Sequence, residues 1–348
     1  MSTTAAYAAH AAKAPLAPLT IQRRDPRAHD VVIDIAYCGV CHSDIHQARD
    51  EWGGGIFPMV PGHEIVGHVI ALGSAATKFK IGDAVGVGCF VDSCRQCAQC
   101  HAGEEQYCDT GMTATYNARD ADGAPTYGGY STRIVVDENY VLSIPAGIAL
   151  DRAAPLLCAG ITTYSPMRHY GVKAGDCVAV VGLGGLGHMA VKFGVALGAK
   201  VTVLSTSESK RGDALALGAH AFAATGDAQT FKRLAGSFDF IIDSVSAPHD
   251  YNAYLSLLKV DGCMILLGVP ETPSPVAAGA LIMRRRKLVG SLIGGIAQTQ
   301  DMLDFCAEHA IAADIEVIRM DQINDAYERM LRGDVRYRFV IDTASLRA

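Results

Sequence analysis

Charge is scarce in this chain. Only 19% of its residues are Asp, Glu, Lys or Arg, and 36 acids against 30 bases leave a formal net charge of −6. Nucleic-acid binders carry a basic patch or stripe, and the one basic cluster here, Arg284-Arg285-Arg286-Lys287, is too short to form one. Long apolar runs are missing as well: no stretch approaches the ~18 uninterrupted apolar residues of a membrane span. The opening MSTTAAYAAHAAKAP has no basic region leading into a strongly apolar one, so it does not read as a secretory signal. Tryptophan occurs once, at Trp52. No internal repeat is visible, and no low-complexity tract beyond the Ala-rich start. No nucleic-acid partner and no membrane are therefore expected. The expected setting is cytoplasmic, where thiols stay reduced.

Apolar residues, by contrast, are abundant. Half the residues are hydrophobic, enough for a large core and too many for a disordered chain. The 348 residues suggest about two domains of ~100–200 residues each. Residues 31–145 carry short β-runs broken by glycine (VVIDIAYCGVC, IVGHVIALG, DAVGVG, YSTRIVV), the pattern of an antiparallel, barrel-like domain. From Cys177 the pattern changes to alternating strand and helix: CVAVVG, a helix from about Gly185 to Leu197, KVTVLS, a helix over ESKRGDALALG, AHAFAA, FDFIIDSV, a helix over YNAYLSLLK, and CMILLG. Such alternation indicates a parallel, doubly wound sheet. The last fifty residues offer a helix (QDMLDFCAEHA), a strand (DIEVIRM), a helix (NDAYERMLRG) and a strand (RYRFVID). Periodicity alone leaves open whether they extend that sheet or return to the first domain.

The eleven cysteines are the unusual count. In a reducing compartment they are metal ligands or small buried hydrophobes, and spacing separates the two. Cys94, Cys97, Cys100 and Cys108 fall as C-x2-C-x2-C-x7-C in a polar loop segment. Four thiolates so close in sequence can close a tetrahedral shell around zinc, a structural site with no open position. An iron–sulfur cluster is the other metal reading of such a set. A second group is dispersed: Cys38, Cys41, His42 and His46, then His63-Glu64, then Cys158. Scattered ligands that converge in space are the habit of a catalytic zinc. Taken alone, His63 reads as an ordinary histidine.

Strand CVAVVG leads into Gly182-Leu183-Gly184-Gly185-Leu186-Gly187 and a helix, which is G-x-G-x-x-G in its required setting. The glycines permit a tight turn and close approach of a dinucleotide pyrophosphate at the helix N-terminus. An NAD site wants an acid about 20 residues on, at the end of the next strand. Ser205 stands there, followed by Thr206, Ser207 and Lys210. Hydroxyls and an ammonium suit a 2′-phosphate that a carboxylate would repel, so NADP(H) is expected. The same serines also suit a helix cap.

Together these pieces resemble the zinc-dependent medium-chain alcohol dehydrogenases, and within them the cinnamyl-alcohol-dehydrogenase type that includes bacterial NADP-dependent aldehyde reductases. The resemblance covers almost the whole chain. It rests on CGVCHSDIH (38–46), VPGHE (60–64), the cysteines at 94, 97, 100 and 108, GLGGLG (182–187), STSESK (205–210), GSLIGG (290–295) and DVRYRFVID (334–342). It implies an α/β fold with a GroES-like barrel catalytic domain over 1–155, a Rossmann domain over 156–296, and a segment 297–348 returning to the first. It implies two zinc ions per chain, one catalytic on Cys41, His63 and Cys158 and one structural on the four-cysteine set. Ser43 would pass the substrate proton and His46 would end the relay. Asp44 would orient the ligand imidazole, and Glu64 would be a carboxylate close to the metal. His42, Thr162, Gly182, Gly184, Gly185, Leu186, Gly187, Ser205, Thr206, Ser207, Lys210, Ser291, Ile293 and Arg338 would meet the cofactor, with Arg336 an alternative to Arg338. Trp52 and Phe90 would line the substrate pocket, although a lone tryptophan also reads as a core anchor.

The implied activity is hydride transfer between NADP(H) and a small primary alcohol or aldehyde. The expected substrate is aromatic or medium-chain aliphatic, handled mostly in the aldehyde-reducing direction by a homodimer. The competing readings are an NAD-dependent polyol or secondary-alcohol dehydrogenase of the same superfamily, and a non-catalytic NADPH- or zinc-binding protein. Cys38, Cys89, Cys177, Cys263 and Cys306 are left as buried thiols, with Cys38 nearest the ligand segment.

Overall fold

The computed structural model describes residues 2–347. It divides into two compact units: Met1–Ile161 together with Gly294–Ala348, and Thr162–Ile293.

In the first unit a sheet of seven strands runs in the order Ile315–Arg319, Arg338–Asp342, Asp30–Gly39, Ile65–Leu72, Ala84–Val87, Leu142–Ser143, with Arg133–Asp137 also paired to Asp30–Gly39. The pairings are antiparallel except between Ile315–Arg319 and Arg338–Asp342. The long strand Asp30–Gly39 bends at two register shifts against Ile65–Leu72, as a sheet must to curl. Its apolar run is buried at Val31, Ile33, Ile35 and Cys38. The strand Arg338–Asp342 pairs through Val340, Ile341 and Asp342 with Gly39, Cys38 and Tyr37. The end of the chain thus returns to the first sheet, which periodicity had left open.

The second unit is a parallel sheet in the order Ala221–Ala224, Lys200–Ser205, Cys177–Val181, Phe238–Asp243, Leu258–Leu266, Lys287–Gly290. This is the doubly wound order, with its switch point beside Cys177–Val181. Strands covered on both faces read as continuous apolar runs, and Val178, Val180, Ile241, Ile242, Met264 and Ile265 are all fully buried. The helix Gly185–Ala196 follows the glycine turn as its sequence predicts. The helix expected over ESKRGDALALG breaks in two, a single tight turn at Glu208–Lys210 and then Arg211–Ala216. A helix at Ala159–His169 has no counterpart in the sequence reading, because Pro166 lies inside it.

Among the described residues, no helix is long and apolar enough to cross a membrane.

Candidate active site

The dispersed cysteine and histidine residues converge in the first unit. Ligand atoms of Cys41, His63, Glu64 and Cys158 all lie within 4.8 Å of one another, and all four residues are buried. His63 Nε2 is 3.2 Å from Cys158 Sγ, and the two sulfurs are 3.9 Å apart. Two thiols and an imidazole crowded this closely have little reason to share a dry pocket, but they form a borderline-soft donor set of the kind zinc takes. The site therefore fits the metal on its own chemistry.

Local structure explains the arrangement. Cys41 caps the short helix His42–Ala48, and its backbone N–H donates to Asp44 Oδ2 at 2.9 Å. Asp44 is fully buried, and its Oδ1 accepts from Gly62 N at 3.1 Å and from His63 Nδ1 at 3.1 Å. A carboxylate only accepts, so this bond puts the His63 proton on Nδ1 and leaves Nε2 facing the sulfurs. Gly62 sits at φ +103°, where a Cβ would press on the Tyr130 ring and the Cys38 sulfur. Cys38 therefore packs against the turn that presents His63.

One turn of helix brings Ser43 and His46 to the same face. Ser43 Oγ is 3.7 Å from Cys41 Sγ. The His46 ring bonds through Nδ1 to Glu51 and stacks on Trp52 at 5.0 Å between centroids. Trp52 is half exposed, so it is not a core anchor. Phe90 is buried and meets Tyr140 edge-on at 5.9 Å. His42 lies on the surface side of the same helix. Tyr116 stacks over His63 at 5.8 Å.

Beneath this group Glu64 pairs with the buried guanidinium of Arg338. Burial pushes the Glu64 carboxyl up, against the pull of Arg338. Among the described residues, Glu64 Oε2 and Arg338 Nε have no hydrogen-bond partner. An unpartnered carboxylate oxygen within the ligand group suits a nearby cation.

The four-cysteine loop also closes on itself. Its sulfurs lie within 4.8 Å of one another. Backbone N–H groups of Cys94, Cys97 and Cys100 donate to the sulfurs of Cys108, Cys94 and Cys97 at 3.4, 3.3 and 3.5 Å. Such donors favour thiolates. The Thr110 hydroxyl and the Cys94 N–H hold the Cys108 thiol down to about 6.

In the second unit Gly182 stands at φ +86°, with Val245 and Ser244 where a Cβ would go. A Cβ at Gly187 would overlap the Gly182 carbonyl oxygen, whereas one at Gly184 would enter open space. The turn is thus closed behind and open in front, as a pyrophosphate cradle requires. Lys210 Nζ reaches back to the Leu183 carbonyl at 3.1 Å, which joins the 205–210 segment to the glycine turn. Ser205 is buried at the end of its strand and Thr206 is exposed. Ser207 precedes the turn but does not cap it, because its hydroxyl bonds Ser209 at 2.7 Å. Gly185 and Leu186 open the following helix, and Thr162, Ser291 and Ile293 also belong to this unit.

Sequence reasoning passed over several residues at the site. Glu51 lies in the turn beyond the end of helix His42–Ala48 and folds back to His46, a contact that no local spacing signals. Tyr116, Tyr130 and Cys89 had none. Cys89 lies near the ligand sulfurs and bonds the Leu157 carbonyl at 3.7 Å.

Residues 27–146 match the family described as alcohol dehydrogenase GroES-like domain, and residues 185–308 match the family described as zinc-binding dehydrogenase. The NADP-dependent alcohol dehydrogenase C 1 of Mycolicibacterium smegmatis is 62% identical over 349 residues, covering 100% of each chain. An aldehyde reductase of Escherichia coli is 56% identical, covering 98% of each. The structure of a cinnamyl alcohol dehydrogenase from Sorghum bicolor matches with a TM-score of 0.96 at 48% identity, covering 99% of this chain and 98% of that one.

Proposed function

The chain belongs to the zinc-dependent alcohol dehydrogenase family, and from that membership we propose that Cys41, His63 and Cys158 hold its catalytic zinc for aldehyde reduction with NADPH. Its fold is that of the family, a GroES-like unit and a Rossmann unit, and its activity is that of an alcohol and aldehyde oxidoreductase. The observation that carries the site assignment is the convergence of the buried donors, with Asp44 orienting His63.

Two thiolates and one imidazole would leave one coordination position open, while Cys94, Cys97, Cys100 and Cys108 would close the structural shell. When bound, zinc supplies Lewis acidity and NADPH supplies the hydride. Ser43 donates the proton to the oxygen of the nascent alcohol. His46, held by Glu51, returns a proton to Ser43 from solvent, since an imidazole can both accept and donate a proton. Asp44 keeps His63 in one tautomer and one orientation. Glu64 stays paired with Arg338 beside the donors, and Arg338 would supply a positive charge toward the cofactor pyrophosphate. His42, next to the first ligand in the chain, would meet the cofactor.

The glycine turn cradles the pyrophosphate, and Ser205, Thr206, Ser207 and Lys210 recognise the 2′-phosphate. Thr162, Leu186, Ser291 and Ile293 flank the nicotinamide. Trp52 and Phe90 make the substrate pocket apolar, which supports an aromatic or medium-chain primary aldehyde. The exposed edge strand Lys287–Gly290, with Ile282 and Met283 exposed nearby, supports a homodimer. Thiolate donor sets persist in a reducing compartment, which fits the cytoplasm.

The test is NADPH oxidation with cinnamaldehyde, benzaldehyde and medium-chain aldehydes, against NADH and against zinc-stripped protein. Turnover is expected with NADPH in preference to NADH and is lost on stripping. Full activity after complete zinc removal would overturn the mechanism.

A further inference from the structure

Asp44 is a carboxylate with no exposed surface, and its charge is held by hydrogen bonds. Besides the donors from Cys41, Gly62 and His63, the hydroxyl of Tyr130 donates to Oδ2 at 3.3 Å. Tyr327 donates its own hydroxyl to Tyr130 Oη at 3.4 Å. Both rings are buried, and a buried phenol requires a polar partner.

Tyr130 is also tied to the ligand-bearing turn. Backbone N–H groups of Gly128, Gly129 and Tyr130 donate to the carbonyls of Val60, Gly62 and Pro61 at 2.8, 2.9 and 3.0 Å. Behind them the buried Arg23 donates to the carbonyls of Tyr127, Gly128 and Arg133 and to the Ser131 hydroxyl, at 2.7 to 3.0 Å. The phenol and His63 therefore ride on one clamped piece of backbone and meet at Asp44 from two sides.

We propose that Tyr130, backed by Tyr327, is a positioning residue that fixes the plane of the Asp44 carboxylate and, through it, the His63 ring at the catalytic zinc. The proposal rests on the reading that His63 is a zinc ligand. Without the phenol, Asp44 keeps the Cys41, Gly62 and His63 donors and the neighbouring Tyr116 hydroxyl, and a buried carboxylate that has lost a donor at Oδ2 turns toward those that remain. The Gly62 and His63 bonds on Oδ1 loosen with that turn. A phenylalanine keeps the ring and its packing, so the hydroxyl alone is removed.

The experiment uses full-length protein loaded with both zincs. It follows zinc release to a colorimetric chelator and the visible absorption of protein carrying cobalt at the catalytic site. Tyr130→Phe is expected to speed release of the catalytic zinc by about 10-fold, the lower end for a residue that orients a ligand, and to shift the cobalt bands. Release from the four-cysteine set stays unchanged and serves as the internal control. Tyr327→Phe moves both readouts in the same direction by less. Catalytic-site release no faster than wild type, with unchanged cobalt bands, in Tyr130→Phe overturns the proposal. If that variant does not fold, the same two readouts on Tyr327→Phe decide it. Failure of the underlying reading looks different: wild-type protein, or a His63→Ala variant compared with it, would show no second zinc that depends on His63.

Discussion

At Gly39 the absence of a side chain has a specific partner. A Cβ there would overlap Glu64 Oε2, and the Gly39 N–H bonds the Glu64 carbonyl at 2.9 Å. Gly39→Ala would therefore push the Glu64 carboxylate off Arg338. Breaking a buried ion pair costs roughly 3–5 kcal/mol because one charge is left uncompensated. The expected outcome is a large drop in thermal stability with loss of the catalytic zinc, read by calorimetry and metal analysis. A variant with wild-type stability and two zincs would contradict it. Spacing alone does not show why this position must be glycine, since its contact is with the Glu64 side chain, 25 residues further along the chain. Ser43, Asp44 and His46 were different: one helical turn carries all three, and the resemblance of the segment 38–46 to the family motif named them.

Elements divide along the same line. The loop 94–108 carries its ligands within a few turns of chain, and Cys97 itself caps the short helix Ala98–His101 by accepting from Cys100 N. Cys97→Ser should release the structural zinc and leave a loop that limited proteolysis cuts faster, because the metal replaces the apolar core this loop lacks. Unchanged metal content would defeat that. The parallel strands of the second unit were legible because strands covered on both faces are continuous apolar runs flanked by glycine. The helix Ala159–His169 was not, since Pro166 reads locally as a stop and its placement depends on what packs around it. The final strand Arg338–Asp342 was equally apolar whichever sheet received it.

Across the whole molecule, stability should carry a signature of pH from the second unit. Asp243, at the end of its strand, accepts from the His249 ring at 2.9 Å and from Val245 N at 3.1 Å. The Asp243 hydrogen bond raises the His249 pKa above its ordinary value, against a smaller opposing effect of burial. A histidine raised on folding adds stability that is fully present below the unfolded pKa of ~6.5 and is lost as pH rises through the folded value. The melting temperature of wild type should therefore exceed that of His249→Gln most at low pH, and the gap should close above the folded pKa. A gap that stays constant with pH would show that the pair is only a packing contact.

What the sequence determined by itself was whatever the chain enforces over short distances. The glycine turn spans six residues and the four-cysteine set fifteen, and covalent connectivity keeps such groups close in any fold that allows the turn. Spacing did not bring the dispersed donors together; tertiary structure did. Cys41 and Cys158 are 117 residues apart in sequence, and Tyr130 and Asp44 are 86 apart. Only the curled first sheet, with its clamped turn at 127–133, brings them within bonding distance, because the closure of such long loops is stabilised by packing and not by spacing.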